Sequence, residues 1–252
     1  MITINNPIAT QPLRNLWQEA FQDTGEFLDN FFNVAFSQER SQALYVNDEL
    51  AAALYWFDCE LESQKTAYIY AVATAKKHRG KGYCKALLDH THKLLKESGY
   101  AYAVLVPSEA SLFEFYKKLG YTTCGFLGET EVSAAPSKTE LQRISTQEFA
   151  VYRRLYLPEN AVIQEKENLD FLATQAEFFK GEDFLLSARL HRNKLFAIEL
   201  LGNTDKLAEI TASLGAQKGY FRTVGNIRPF AMGISLNEKP IPCPIHFGLA
   251  FD

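Results

Sequence analysis

The sequence lacks the features that mark nucleic-acid-binding and membrane-spanning proteins. Its 26 Lys and Arg residues do not outnumber its 30 Asp and Glu residues, and the formal net charge is −4 at pH 7. Because phosphate binding by nucleic-acid-binding proteins is driven by clustered cations, this charge balance argues against a nucleic-acid partner. The longest apolar run, Leu50 to Phe57, is far too short to cross a bilayer, so we expect no membrane association.

Cysteine is also scarce. The four cysteines form no C-x-x-C pair and have no histidine at metal-ligand spacing, so we expect reduced thiols and no metal site. The first ten residues contain neither the basic nor the apolar segment of a signal peptide, and we therefore expect a cytoplasmic protein. The sequence leaves the oligomeric state open.

The length of 252 residues is enough for two α/β (α+β) domains. Residues 128–140 contain few large apolar side chains and include Pro136, which is typical of a linker. We therefore predict a first domain at residues 1–127, a linker at residues 128–140, and a second, smaller domain at residues 141–252.

Hydrophobic periodicity predicts the elements of the first domain. The expected helices cover residues 13–21, 27–36, 83–98 and 112–119, and the expected strands cover residues 42–46, 50–60, 65–74, 101–106 and 121–126. In the helix that begins at residue 83, His90 and His92 are two residues apart and should diverge. We predict that both are surface residues.

The second half loosely repeats the first. Strands are predicted at residues 183–190, 195–201, 220–224, 230–236 and 245–251, with a helix at residues 205–214. The order of hairpin, glycine turn, helix, glycine and strand suggests a degenerate copy of the first domain. The turn Gly202-Asn203-Thr204 lacks the glycine pair and the cations of its counterpart.

That counterpart is the basic loop Arg79-Gly80-Lys81-Gly82, which lies between a predicted strand and a predicted helix. Glycines let the backbone approach a pyrophosphate, and the free N–H groups of a helix start attract anions. The Walker A motif is excluded because one residue, not four, separates the glycines. The dinucleotide motif is excluded because Lys85 stands where its third glycine is needed.

Two segments carry a resemblance to a known family. Residues 71–88, AVATAKKHRGKGYCKALL, are similar to the acetyl-coenzyme A signature of the GNAT superfamily, although Lys77 replaces the usual Arg or Gln. Residues 111–121, SLFEFYKKLGY, resemble that family's F-Y-x-x-x-G-F segment, and the matching residues are Phe115, Tyr116, Gly120 and Tyr121.

The resemblance implies a mixed sheet that splays open between its fourth and fifth strands, with acetyl-coenzyme A as a substrate and no metal. Pantetheine would lie against the backbone of Val72, Ala73 and Thr74. The amides of His78 to Tyr83 would hold the pyrophosphate. The complete set of coenzyme-binding candidates is Val72, Ala73, Thr74, Lys77, His78, Arg79, Gly80, Lys81, Gly82, Tyr83 and Ser111.

The resemblance also implies transfer of the acetyl group to an amine of a small molecule or a peptide. A phenol near the sulfur can donate a proton to the departing thiolate, which makes Tyr116 the candidate general acid. The same side chain could equally be a core tyrosine. A protein that binds acyl-coenzyme A without catalysis, as a sensor or an interaction module, is the alternative function.

The general base is less clear, because the strand before the loop has no carboxylate. The candidates are a water held by Tyr68 or Tyr70, Glu60 or Glu62, and the terminal carboxylate of Asp252. The chain loosely resembles enhanced-intracellular-survival-type acetyltransferases, in which the terminal carboxylate reaches the first domain. Its second domain would then be a degenerate GNAT-like copy or a sterol-carrier-like domain.

Overall fold

The computed structural model of the protein describes residues 1–7, 9–136 and 139–251. These residues divide into two compact units, each with its own core. Unit 1 comprises Met1–Val106, Ser111–Thr122 and Gly233–Ile241, and unit 2 comprises Pro107–Ala110, Thr123–Met232 and Pro242–Asp252. In the described part of the chain, no helix combines the length and the apolar character needed to span a membrane.

Unit 1 is a sheet covered by helices on both faces. Its helices are α1 (Thr10–Phe21), α2 (Gly25–Asn30), α3 (Tyr83–Glu97) and α4 (Ala110–Lys117), and a π-helical turn at Phe31–Ala35 extends α2. Its strands are β1 (Ile2–Asn5), β2 (Ser41–Val46), β3 (Glu49–Leu61), β4 (Gln64–Thr74) and β5 (Tyr102–Leu105).

The sheet of unit 1 is mixed and opens along one seam. Strands β1 to β4 pair antiparallel in chain order, and β5 pairs parallel with β4. The β4–β5 pairing covers only Thr66, Ala67 and Tyr68 of β4, although β4 continues to Thr74. This opening confirms the expected splay between the fourth and fifth strands.

Aromatic side chains form the core between the first helices and the sheet. The Trp17 ring lies 4.6 Å from Phe31, 5.4 Å from Tyr55 and 5.6 Å from Tyr70, measured between ring centroids. Its indole N–H donates to a carboxylate oxygen of Asp23 at 2.8 Å, which satisfies the polar atom of this buried ring. The opposite face of the sheet packs against the apolar stripe of α3.

Among its described residues, unit 2 contains eight strands and three helices. Its strands are β6 (Thr122–Ser133), β7 (Gln142–Ile144), β8 (Ile163–Gln164), β9 (Glu177–Lys180), β10 (Phe184–His191), β11 (Lys194–Gly202), β12 (Lys218–Val224) and β13 (Arg228–Ser235). Its helices are α5 (Thr146–Tyr156), α6 (Glu167–Leu172) and α7 (Leu207–Ser213). The strand order is β13-β6-β12-β11-β10-β9-β7, and β13 ends in unit 1 from Gly233 onward.

The two units share one order of elements. In unit 1, the hairpin β3–β4 leads through a loop and α3 to the parallel strand β5. In unit 2, the hairpin β10–β11 leads through a loop and α7 to the parallel strand β12. Both second hairpin strands carry an extra residue, near Ala71 in β4 and at Ile198 in β11. This repeat favours a GNAT-like copy over a sterol-carrier-like domain.

The predicted linker was wrong in its first half, because β6 continues to Ser133. The acidic residues of this segment pair with cations on the neighbouring strand β12. Glu131 lies 2.7 Å from the ammonium of Lys218, and Glu129 lies 3.9 Å from Arg222. Ser137 and Lys138 of the predicted linker lie outside the described residues, and the boundaries of the two predicted domains stay predictions.

The predicted strand at residues 245–251 was also wrong. This segment is buried, but only Ile245 and His246 make isolated bridges to other backbone segments. The buried side chain of Gln164 makes the hydrogen bonds to the Leu249 backbone that a neighbouring strand would otherwise make. Its amide donates to the Leu249 carbonyl at 2.6 Å and accepts from the Leu249 N–H at 3.2 Å. The apolar composition of residues 245–251 therefore indicates that the segment is buried, and it does not indicate a β-strand.

Candidate active site

The glycine loop has the backbone that an anion site requires. After β4 ends, a short 3₁₀ turn at Lys76–His78 leads to Gly80 and Gly82, and α3 begins at Tyr83. Gly80 and Gly82 have φ angles of +74° and +79°, which other residues adopt at a cost. A Cβ atom at either position would meet nothing within 4 Å, so the space beside the loop is open.

Fewer backbone N–H groups of the loop are free to bind a ligand than the sequence predicts. The N–H of His78 donates to the Ala75 carbonyl at 2.8 Å, and that of Arg79 donates to the Lys76 carbonyl at 3.3 Å. Within the described residues, the N–H groups of Gly80 to Tyr83 have no backbone acceptor. These groups lie at the N-terminus of α3, where the helix dipole also favours an anion.

Two carboxylates already contact the basic side of the loop. Glu49, the first residue of β3, forms an ion pair with Lys77, and the hydrogen bond from Lys77 lowers the pKa of Glu49 below its usual value. Glu19 of α1 accepts a hydrogen bond from the Lys76 N–H at 2.6 Å. The buried ring of His78 packs against Tyr83 at 5.8 Å between centroids. Arg79 and Lys81 are exposed cations of the loop.

The predicted pantetheine residues lie on β4 beside the open seam. Ala73 and Thr74 pair with Ala53 and Ala52 of β3 on one side. On the other side, the β5 pairing has already ended at Tyr68. The extra residue makes a β-bulge, and Ala71 within it has a φ angle of +48°. A bulge re-aims the strand and leaves backbone groups unpaired, as an extended ligand would require.

Tyr116 is a buried residue of α4 with 7% of its surface exposed. Burial raises its pKa above the usual value for a phenol, and the nearby thiol of Cys84 raises it further. Cys84 is the second residue of α3, so Tyr116 lies close to the helix that begins at the glycine loop. Ser111 is an exposed residue in the first turn of α4.

His92 was wrongly predicted to be a surface residue. Its Nε2 atom lies 2.7 Å from the Tyr121 hydroxyl, and burial lowers its pKa to about 4. The ring of Tyr121, 1% exposed, meets the ring of Tyr116 edge-on at 5.7 Å between centroids. The sequence held one signal for this pair, since Tyr121 stands where the related segment ends in Phe and its extra hydroxyl needs a partner.

The candidates for the general base lie at different distances from the bulge in β4. Glu60 pairs with Lys65 near the far end of the β3–β4 hairpin, and Glu62 forms the turn itself. Lys65 is six residues from the bulge at Ala71, or about 20 Å along the strand. Tyr70 directly precedes the bulge and is partly buried. Asp252 lies outside the described residues, and its catalytic role stays a prediction.

In unit 2, the counterpart of the glycine loop is the turn Gly202-Asn203-Thr204, and Asp183 of the same unit fills the space beside it. The Asn203 N–H donates to the Asp183 carbonyl at 3.0 Å, and the Asp183 carboxylate accepts from Asn203 at 2.8 Å and from Lys206 at 3.2 Å. A Cβ atom on Gly202 would lie 2.4 Å from the Asp183 carbonyl oxygen. Moreover, β11 and β12 stay paired beyond the bulge, to Leu200 and Thr223. Between the described strands β11 and β12, no open seam corresponds to that of unit 1.

Unit 2 also contains a buried ionic cluster. Arg153 of α5 donates two hydrogen bonds to Glu199 of β11 at 2.7 and 3.0 Å, and Nε2 of His246 lies 2.8 Å from the same carboxylate. Burial alone would disfavour the charged carboxylate, but Arg153 and His246 lower the pKa of Glu199 to about 2. The cluster joins the buried C-terminal segment to the core of its unit.

Among the described residues, no group of three or more His, Cys, Asp or Glu side chains could hold a metal ion. No protein of curated function matches the sequence at a significant level. The family model described as "Acetyltransferase (GNAT) domain" matches residues 9–124.

Solved structures with similar folds cover most of the chain. A conserved protein of unknown function from Enterococcus faecalis V583, described as a probable N-acyltransferase, has a TM-score of 0.71 at 16% identity, over 94% of this chain and 72% of that chain. Eis1 from Mycobacterium abscessus has a TM-score of 0.67 at 12% identity, over 94% and 74%. A tandem GNAT protein from the clavulanic acid biosynthesis pathway has a TM-score of 0.56 at 10% identity, over 95% and 100%. At such identities, the similarity concerns the fold.

Proposed function

We propose, on the premise that residues 9–124 belong to the GNAT acetyltransferase family, that the protein transfers an acetyl group from acetyl-coenzyme A to an amine of a small molecule or a peptide. The observation that carries this proposal is the combination of an open seam beside β4 with the free amides of Gly80 to Tyr83. An extended thioester could lie in the seam while its pyrophosphate binds the helix start.

The proposed reaction is a direct transfer. The amine nitrogen attacks the thioester carbon, a C–N bond forms, and the C–S bond breaks as the sulfur departs as a thiolate. Tyr116 donates its proton to that sulfur and later regains one from solvent. An ordinary phenol is protonated at neutral pH, and burial raises the pKa of Tyr116 further, so the proton to be donated is present.

The amine must also lose a proton. We propose that a water beside Tyr70 accepts it, because Tyr70 directly precedes the bulge, whereas Glu60 and Glu62 lie at the far end of the hairpin. Asp252 is the other proposed acceptor. A carboxylate is ionised at neutral pH and can attract a cationic amine even where it is a weak base.

The coenzyme site is tested with Gly80→Asp. The new carboxylate would stand in the open space beside the loop, and its charge would repel the pyrophosphate. Isothermal titration with acetyl-coenzyme A should show binding to the wild type at one site per chain and no measurable binding to the variant.

Gly99→Asp is the matched control for that experiment. Gly99 has a φ angle of +81° and open space around it, but it follows the C-terminal end of α3. This control should therefore carry similar backbone strain and still bind coenzyme. Unchanged affinity in Gly80→Asp, or a second site per chain in the wild type, would contradict the proposed site. Binding without turnover across a panel of amines would favour the acyl-coenzyme A sensor.

A further inference from the structure

The residue after Gly120 is fixed to α4 by the way that helix ends. The Tyr121 N–H donates to the Tyr116 carbonyl at 3.1 Å, and the Gly120 N–H donates to the Lys117 carbonyl at 3.1 Å. Gly120 has a φ angle of +92°, as this type of helix end requires. The backbone therefore sets the ring of Tyr121 against that of Tyr116 at 5.7 Å.

Tyr121 is in turn held by α3. Its hydroxyl lies 2.7 Å from Nε2 of His92, and the two rings are 5.5 Å apart between centroids. Tyr121 is buried and His92 is partly buried, so the loss of the imidazole would leave the buried Tyr121 hydroxyl without this hydrogen-bond partner. Since the pKa of His92 is about 4, the ring is neutral at pH 7 and has one nitrogen able to accept the phenol proton.

Helix α3 thus contacts this pair of tyrosines at two points. The thiol of Cys84 lies near both phenols, and His92 binds Tyr121 about two helical turns later. The same helix presents the free amides of the glycine loop at its N-terminus. A bond between the middle of α3 and the end of α4 therefore fixes the phenol of Tyr116 relative to the coenzyme loop.

We propose that His92 and Tyr121 are positioning residues, which hold the Tyr116 phenol where it can protonate the departing sulfur. This inference rests on the proposed transferase function. It assigns a purpose to the buried tyrosine hydroxyl that follows Gly120 and to the partly buried histidine that lies opposite it.

The kinetic test compares His92→Leu with His92→Gln and with His90→Leu. Misplacing the acid should lower kcat about 10- to 100-fold in His92→Leu without changing the Kd for acetyl-coenzyme A. His92→Gln should recover part of the rate, because its side-chain amide can reach the Tyr121 hydroxyl. His90→Leu alters an exposed residue of the same helix and should leave kcat unchanged.

The double variant His92→Leu/Tyr121→Phe separates positioning from folding. Replacing both polar partners by apolar groups should restore most of the thermal stability. If kcat stays low in this stable protein, the pair positions Tyr116. Recovery of kcat together with stability would overturn the proposal. In a Tyr116→Phe background, His92→Leu should have no further effect on kcat, and an undiminished effect there would also overturn it.

A readout independent of turnover distinguishes this inference from the function it rests on. In protein labelled with ¹³C at the tyrosine ζ carbon, His92→Leu should shift or broaden the Tyr116 resonance, whereas His90→Leu should not. An unchanged Tyr116 resonance would overturn the positioning role. A shifted resonance in a protein that acetylates no amine would support positioning and count against the proposed function.

Discussion

Tyr116 combines burial with a position beside the helix that begins at the glycine loop. If it donates the proton to the departing sulfur, its loss should slow chemistry and spare binding. We expect Tyr116→Phe to lower kcat about 10²- to 10⁴-fold, the usual contribution of a general acid, with the Kd for acetyl-coenzyme A unchanged. Steady-state kinetics and calorimetry measure the two quantities separately.

The control for this prediction is the residue that precedes Tyr116 in α4. Phe115 is 38% exposed, and Phe115→Leu should leave kcat close to that of the wild type. A folded Tyr116→Phe protein with full turnover would remove the phenol from the mechanism. A variant that unfolds would instead assign Tyr116 to the core.

At the scale of single residues, the sequence predicted the backbone conformation of the loop glycines, but it did not predict which side chains contact Lys77 and His92. The positive φ angles of Gly80 and Gly82 follow from the motif alone. The Lys77–Glu49 ion pair and the His92–Tyr121 bond join residues 28 and 29 positions apart. Periodicity along one helix cannot show such contacts, because it carries no information about what packs against the helix.

Among the elements, β4 contains a residue under backbone strain at its bulge. Ala71 adopts a left-handed conformation that costs an L-residue about 1–2 kcal/mol. We expect Ala71→Gly to keep or slightly raise the free energy of unfolding. Ala71→Val, which adds a branched Cβ, should lower it by about 1–3 kcal/mol and weaken coenzyme binding.

Urea unfolding and calorimetry on the two variants check this prediction. Coenzyme affinity should track the backbone at the bulge, so Ala71→Gly should bind about as well as the wild type. If Ala71→Val binds coenzyme normally, the bulge serves the strand and has no part in the site.

The elements of unit 1 could largely be predicted, because an amphipathic helix such as α3 and a β-branched, aromatic strand such as β4 carry strong local patterns. The misassigned segments depend on distant residues. The polar end of β6 is a strand because Lys218 and Arg222 neutralise its acids. Residues 245–251 are buried but not a strand, because Gln164 satisfies the backbone of Leu249.

For the molecule as a whole, the Arg153–Glu199 pair tests how much unit 2 depends on its buried charges. Glu199→Gln would leave Arg153 buried without its counterion, and we expect the free energy of unfolding to fall by about 3–5 kcal/mol. Glu177→Gln, which alters an exposed pair with Arg143, should cost less than about 1 kcal/mol. Chemical unfolding of both variants provides the comparison.

The same pair should make the free energy of unfolding depend on pH in the acid range. The pKa of Glu199 is lowered from 4.5 to about 2, so the folded protein binds this proton less readily than the unfolded chain. Its contribution to stability is complete above about pH 4.5 and should be lost as the pH falls towards 2. A wild-type protein that loses no more stability than Glu199→Gln across this window would contradict the prediction.

The seam beside β4 has a consequence for the two halves of the chain. Backbone groups left unpaired there lower the stability of unit 1 while no coenzyme is bound, whereas the β11–β12 pairing resumes beyond its bulge at Leu200 and Thr223. By thermodynamic linkage, a ligand that binds only the folded state at 100 times its Kd adds about 2.7 kcal/mol. The metabolic supply of acetyl-coenzyme A would then help to set the fraction of molecules in which unit 1 is folded.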